Sequence, residues 1–412
     1  MSFSATSAVL KAYEHEIGYK LPQALPYVRS AGRQALYGGR CENFFCGDTR
    51  QANFKGELFL FDFKAQYGRI MAEEEFPDFS EAYFSKKPET RFHIAWAEVE
   101  VGQKIHYPPL AWHHEPPKHK QVDKRLASYD RGALLFPSGR FTGCWCDVDL
   151  SYEQVQVLRY KKVLNFPNAS HSFKGFVERF IPHKSSEIAK AIKKNIYTSF
   201  SGKFAQSNRR TMLLKNDPDK LRPEDYRTGQ FFGDWVLVTR YTPWPRFSNF
   251  VWTAYVNAYG RRNLHRLFEA IHAFGGRPLY CNTDGCPAIM PSARAARLVA
   301  DSFPELPLKI EAKESARVLG PRAYMYRDHE GNVDVAAGGI PKKVHGQIVE
   351  GKDEVWAEVP DTFFQAMQRG QIEKELKNTW TLKKFTFSQA RKLGRILQAD
   401  GWTRPIQVGE AC

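Results

Sequence analysis

Phe59-Leu60-Phe61-Asp62-Phe63-Lys64-Ala65-Gln66-Tyr67-Gly68 runs an apolar strand into an aspartate. A second stretch more than 200 residues later, Leu279-Tyr280-Cys281-Asn282-Thr283-Asp284-Gly285, does the same. A carboxylate that follows a buried strand is poorly placed for solubility and well placed to hold a divalent metal. Two of them brought together suit two-metal transfer chemistry at a phosphate.

The 412 residues can bury a large core and are expected to form two or three subdomains. A hydrophobic share of 42% and a charged share of 25% are those of a soluble globular protein. No apolar run approaches the roughly 20 residues that span a bilayer. Residues 1–25 lack the layout of a secretory signal. The expectation is a cytoplasmic protein with no membrane partner, in the host cytoplasm if a mobile element encodes it. The net charge of +15 suits a polyanionic partner, and nucleic acid is the commonest one. The seven cysteines are odd in number and lack structural-zinc spacing, which points to reduced, mostly buried thiols.

Along the chain, residues 1–55 read as mixed helix and turn. A strand at 58–61 is followed by a short helix near 64–73, and residues 90–150 show the alternation of strands. Helices are expected at 173–180, 185–200 and 250–274, strands at 234–240 and within 308–335, and an inserted loop or hairpin at 207–229. The whole is α+β, an antiparallel sheet carrying acidic turns, without the repeated βαβ units of a doubly wound sheet.

In the helix at 185–200, Lys190, Lys194, Thr198 and Ser201 fall three or four residues apart and share one face, with Lys184 just ahead of it. That face suits a triphosphate; a solvated basic face has the same pattern.

Taken in order, these segments resemble the motifs of family-B DNA polymerases. Asp62 to Gly68 looks like Asp-x-x-Ser-Leu-Tyr-Pro; Lys194 to Gly202 looks like Lys-x3-Asn-Ser-x-Tyr-Gly; Tyr280 to Gly285 looks like Tyr-x-Asp-Thr-Asp-Ser. The resemblance is closest to the protein-primed branch of small linear-genome phages and linear plasmids. Leu36-Tyr37-Gly38-Gly39 is similar to its Tyr-x-Gly-Gly, and Arg322-Ala323-Tyr324 to its Lys-x-Tyr.

The resemblance implies a right hand with an antiparallel-sheet palm, helical fingers and a small basic thumb. The implied division is an N-terminal segment at 1–55, palm at 56–85 and a β-rich region at 86–165 like the branch's first terminal-protein region. Fingers follow at 166–206, a second such insertion at 207–232, palm again at 233–345 and thumb at 346–412.

It further implies that Asp62 and Asp284, with the Phe63 carbonyl, hold magnesium, for which manganese can substitute. Tyr67, Lys184, Lys190, Lys194, Thr198 and Ser201 would meet the incoming dNTP, with Tyr67 excluding a 2′-hydroxyl. Tyr37, Gly38, Gly39, Thr283, Arg322, Tyr324, Lys383 and Lys384 would meet primer and template. Implied partners are primer-template DNA, dNTPs and a terminal or other priming protein, the chain itself acting as a monomer.

The departures are Asn282 for the first aspartate of its motif, Thr198 and Ser201 for Asn and Tyr, Ala65 and Gly68 for Ser and Pro, and Arg322 for Lys. They leave open a catalytically impaired, nucleic-acid-binding relic. About 35 residues precede Tyr37, too few for the family's 3′–5′ exonuclease, so no proofreading is expected.

Rival features have plainer readings. Asp147-Val148-Asp149 could mark a metal-dependent glycosyltransferase, but at a strand-to-helix junction capping by Asp149 or Ser151 is preferred. The His113–Lys124 stretch reads as a solvated basic loop, and Trp252, Tyr255 and Tyr259 as core at helical spacing.

Overall fold

The computed structural model describes residues 5–18, 20–21, 23–113, 134–170, 173–180, 200–232, 234–320, 322–337, 340–349, 354–360, 380–387 and 394–409. The chain forms two compact units: Met1–Ala205 with Phe247–Ala336 and Gln389–Cys412, and Gln206–Arg246 with Ala337–Ser388.

The first unit is built on an antiparallel sheet ordered Cys41–Asn43, Tyr280–Asn282, Gly285–Met290, Glu57–Phe63 and Leu308–Lys313, with Arg277–Pro278 also paired to Gly285–Met290. Side chains alternate across a strand, so each strand has two chemistries. Phe59, Phe61 and Phe63 face one side, where Cys286, Ala288 and Met290 join them. That face is covered by Leu264, Leu267, Phe268 and Ile271 of the helix Phe250–Ala273 and by Ala296 and Val299 of the helix Ala293–Asp301. Leu60 and Asp62 face the other side with Lys309, Glu311 and Lys313, and this face stays open as a cleft.

The long helix is buried nearly all round. Trp252, Tyr255 and Tyr259 lie in the core, as their spacing predicts, against Phe76, Phe79 and Phe173. A four-stranded sheet, ordered Tyr83–Ser85, Val155–Phe166, Phe92–Val101 and Gly139–Cys146, supplies the expected β-rich region. Cys46, Cys144, Cys146, Cys281 and Cys286 are buried free thiols and Cys41 is half-buried.

Three boundaries differ from the sequence reading. Cys41–Asn43 already belongs to the central sheet, ahead of residue 56, because it pairs with Tyr280–Asn282. Trp235–Tyr241 lies outside that sheet; in the second unit it pairs with Arg209–Lys215 and Gln230–Phe232, so the insertion is a three-stranded sheet with the helix Pro223–Thr228. The last residues do not stay with the basic C-terminal module.

Arg395–Leu397 pairs with Thr403–Pro405 inside the first unit, and Trp402 packs on Phe45 with ring centroids 5.0 Å apart. The buried Arg395 guanidinium donates to Thr403 Oγ1 and to the His106 carbonyl, each at 2.8 Å, and stands 3.5 Å from Glu42. Glu42 already pairs with the buried Arg40 at 2.5 Å, so Arg395 joins a buried Arg–Glu–Arg cluster that ties this segment to Cys41–Asn43.

Residues 185–199 of the expected helix lie outside the described residues, with Lys184, Lys190, Lys194 and Thr198, as does His114–Lys124. Among the described residues, no helix is long and apolar enough to cross a membrane.

Candidate active site

Asp62 sits one residue before the end of its strand, directly opposite Gly285 in register. The absent side chain there matters, since a Cβ on Gly285 would stand 3.2 Å from Asp62 Oδ1. Asp284 lies in the hairpin turn between Asn282 and Gly285, which pair with each other. The turn is tight: Asp284 N–H donates to the Asn282 carbonyl at 2.7 Å and Phe63 N–H to the Asp284 carbonyl at 3.0 Å. Thr283 has φ 66°, a left-handed conformation unusual for a β-branched residue. It is held there by its N–H donating to the Arg40 carbonyl at 2.8 Å, so the short strand beginning at Cys41 pins the turn from outside.

The two carboxylates therefore share one cleft of about 290 Å³. Its walls also carry Asn282, Lys309, Glu311, Lys313, Tyr280, Tyr324 and Asp334. Among the described residues neither Asp62 nor Asp284 forms an ion pair, and Lys309 pairs instead with Glu311 at 3.1 Å. Loss of water and then the charge of Asp62 push the Asp284 carboxyl up to about 6. Loss of water also raises Asp62, against the pull of Lys309. Uncompensated negative charge on hard oxygen donors is what a divalent magnesium-like cation relieves, so these residues fit such an ion. No group of three or more His, Cys, Asp or Glu that could hold a metal stands among the described residues.

Tyr67 lies on the first turn of the helix Gln66–Glu73, which starts after Ala65 turns left-handed at φ 57°. Its ring is wedged between two glycines. A Cβ on Gly39 would meet Tyr67 Oη at 3.0 Å and Thr283 Cγ2 at 2.8 Å, and one on Gly260 would meet the ring at 3.4 Å. Burial first and Asp284 second raise the Tyr67 phenol far above its ordinary range. Tyr324 stacks on Tyr280 with centroids 4.6 Å apart, and both line the cleft.

Other sequence-expected residues are not among those that line the cleft. The Phe63 ring is in the core against Phe303, leaving only its backbone near the turn. Tyr37 is 4% exposed and stacked on His113 and Trp145, so its ring packs the interior. Arg322 is exposed at the bulge before Ala323, with φ 60°. Ser201 opens the helix Ser201–Phe204, its carbonyl accepting from the Thr253 hydroxyl at 2.6 Å. Lys383 and Lys384 are exposed on Trp380–Thr386 in the second unit, where Lys384 pairs with Glu354 at 2.6 Å.

Asp149, expected to cap its helix, does interact with the backbone of Cys146 at the helix start, but its chief partner lies elsewhere. Asp149 is wholly buried and accepts from Arg261 Nε at 3.1 Å and from Nη2 at 2.8 Å on both oxygens. Arg261 Nη1 donates to the carbonyls of Tyr37 and Gly38, each at 2.9 Å. The Asp-x-Asp segment thus anchors the arginine that holds the Tyr37-Gly38-Gly39 turn beneath Thr283 and Tyr67. Sequence reading also passed over Lys309 and Lys313, although Lys309, Glu311 and Lys313 alternate along one strand and mark its polar face.

The sequence model of the family described as DNA polymerase type B, organellar and viral, matches residues 27–234, half of the chain. No curated protein matches the chain in a sequence search. The fold is similar to that of phi29 DNA polymerase complexed with primer-template DNA and incoming nucleotides: TM-score 0.65, 17% identity, 94% of this chain and 68% of that one. The complex of the same enzyme with single-stranded DNA gives TM-score 0.62, 17% identity and the same coverage. The likeness gives the right-hand polymerase fold expected from the sequence. With half its length matched by the family's own sequence pattern, the chain belongs to the organellar and viral type B DNA polymerases.

Proposed function

We propose that this DNA-directed DNA polymerase adds dNTPs to a primer 3′-hydroxyl, or to a protein hydroxyl, as a template directs. The observation that carries the reading is the convergence of Asp62 and Asp284, without ion-pair partners among the described residues, in one open cleft. Both carboxylates, with the Phe63 carbonyl, would hold magnesium, and manganese can substitute. When bound, such ions lower the pKa of an attacking hydroxyl and offset charge on the triphosphate and leaving pyrophosphate.

The chain's own residues orient the substrates. Tyr67, fixed between Gly39 and Gly260, gives a rigid edge against which a 2′-hydroxyl would clash. Tyr324 on Tyr280 offers an aromatic face to the primer end. Lys309 and Lys313 keep positive charge beside the phosphates. Lys184, Lys190, Lys194, Thr198 and Ser201 would grip the dNTP, and Tyr37, Gly38, Gly39, Thr283, Arg322, Lys383 and Lys384 would serve primer and template. Both sets rest on the motif resemblance. Protein priming and a host-cytoplasmic setting belong to the same proposal.

The test is extension of a labelled primer on four templates that differ only in the first template base. Incorporation of the complementary nucleotide in each case supports the reading; untemplated addition, or none, overturns it. Nucleotide transfer to a protein encoded beside this chain tests protein priming.

A further inference from the structure

Asn282 stands where the family motif has an acid, and its surroundings show how the amide is turned. Tyr280 and Asn282 alternate with Cys281 along one strand, so the first two line the cleft while Cys281 enters the core. Cys41 lies directly opposite Asn282 in register. Its thiol donates to Asn282 Oδ1 at 3.2 Å, and the Thr283 hydroxyl donates to the same oxygen at 3.4 Å. The carbonyl end of the amide is thereby occupied by two donors. Its Nδ2 carries two N–H groups that have no partner among the described residues.

We propose that Asn282 is a hydrogen-bond donor to the terminal phosphodiester of the primer strand and not a weakened metal ligand. The inference rests on the polymerase reading and adds a substrate contact to it. An amide nitrogen does not ligate magnesium, and the amide oxygen is turned away toward Cys41 and Thr283. A neutral N–H is also the donor that a phosphate oxygen accepts without adding a third negative charge beside Asp62 and Asp284.

Position selects the phosphate. The cleft-facing row runs from the Tyr280–Tyr324 stack through Asn282 to Asp284. A primer-terminal nucleotide with its 3′-oxygen at the carboxylates has its own 5′-phosphate one sugar away, on the side of that stack. Cys41 is a positioning residue: its S–H orients the amide without touching substrate.

The test is single-nucleotide incorporation by the wild-type chain and by Asn282→Asp, Asn282→Ala, Cys41→Ala and Cys41→Ser. Rate and KM for primer-template are read separately, on a natural primer and on one whose last linkage is an uncharged methylphosphonate. Asn282→Asp and Asn282→Ala are expected to raise KM about tenfold or more on the natural primer. On the methylphosphonate primer the difference from wild type should shrink to about twofold or less, because the charged acceptor is gone. Cys41→Ala should show a smaller rise in KM, reversed by Cys41→Ser, which keeps a donor.

Asn282→Asp that matches or exceeds wild type shows a restored ligand and overturns the inference. A KM defect of the same size on both primers overturns it too. A wild-type chain that extends neither primer defeats the polymerase reading itself, whereas an active wild type with an unimpaired Asn282→Asp defeats this inference alone.

Discussion

Removing the carboxylate of Asp149 is expected to be among the most damaging single changes in the first unit, although the residue touches no substrate. Arg261 is 2% exposed in the middle of the helix Phe250–Ala273. Its five N–H groups are all used: three on Asp149, one on the Tyr37 carbonyl and one on the Gly38 carbonyl. Asp149→Leu leaves a buried guanidinium without countercharge, a change that costs about 3–5 kcal/mol.

Asp149→Leu combined with Arg261→Met removes both charges. What then remains is mainly the Tyr37 carbonyl left without its donor, about 1–3 kcal/mol, since Gly38 is exposed and its carbonyl can take water. The double variant should therefore be more stable than the single one. Guanidinium chloride unfolding followed by tryptophan fluorescence measures this, with Trp145 reporting locally because it stacks on Tyr37. Asp149→Leu within about 1 kcal/mol of wild type, or a double variant less stable than the single, would refute the anchoring role of the pair.

Other expectations concern the cleft. Gly39→Ala places a methyl 2.8 Å from Thr283 Cγ2 and 3.0 Å from Tyr67 Oη. Overpacking there should cost about 1–3 kcal/mol and slow extension by shifting the Asp284 turn; melting and primer extension check both effects. Asp284 holds its proton up to about 6, above the ordinary carboxylate value. Its folded-state pKa is raised, so ionising it costs stability as pH climbs from about 4 to about 6. Asp284→Asn should accordingly melt about 2 °C or more above wild type at pH 7 in EDTA, while losing extension; a variant no more stable than wild type contradicts the electrostatic account. At magnesium concentrations below saturation, wild-type extension should rise with pH as Asp284 ionises, since proton and metal compete for that carboxylate. Tyr67→Val should raise ribonucleotide incorporation relative to deoxyribonucleotide by about tenfold, and an unchanged ratio removes the steric role.

What could be read ahead of the structure was governed by local pattern. The strand with Asp62 was legible because Phe59, Phe61 and Phe63 alternate with residues of the opposite face, and the Asp284 hairpin because apolar strands flank a polar turn. The family was legible because its motifs are short and contiguous. Pairings between distant segments were not. Asp149 sits at a helix start, where local preference argues for capping, and nothing near it names Arg261, which lies 112 residues on. Arg209–Lys215 has too polar a pattern to declare a strand, and it is one only because Trp235–Tyr241 lies beside it. Arg395 looks like one more basic surface residue until Glu42, more than 350 residues earlier, is seen buried beside it.

The central claim is that Asp62 and Asp284 are the metal-binding carboxylates of a templated polymerase. Magnesium-dependent extension of one primer, compared among wild type, Asp62→Ala and Asp284→Ala at equal folded concentration, tests it most directly. The account expects extension by wild type and a loss of at least about a thousandfold in each variant, the scale at which electrostatic groups contribute to catalysis. Extension that survives both substitutions would contradict it.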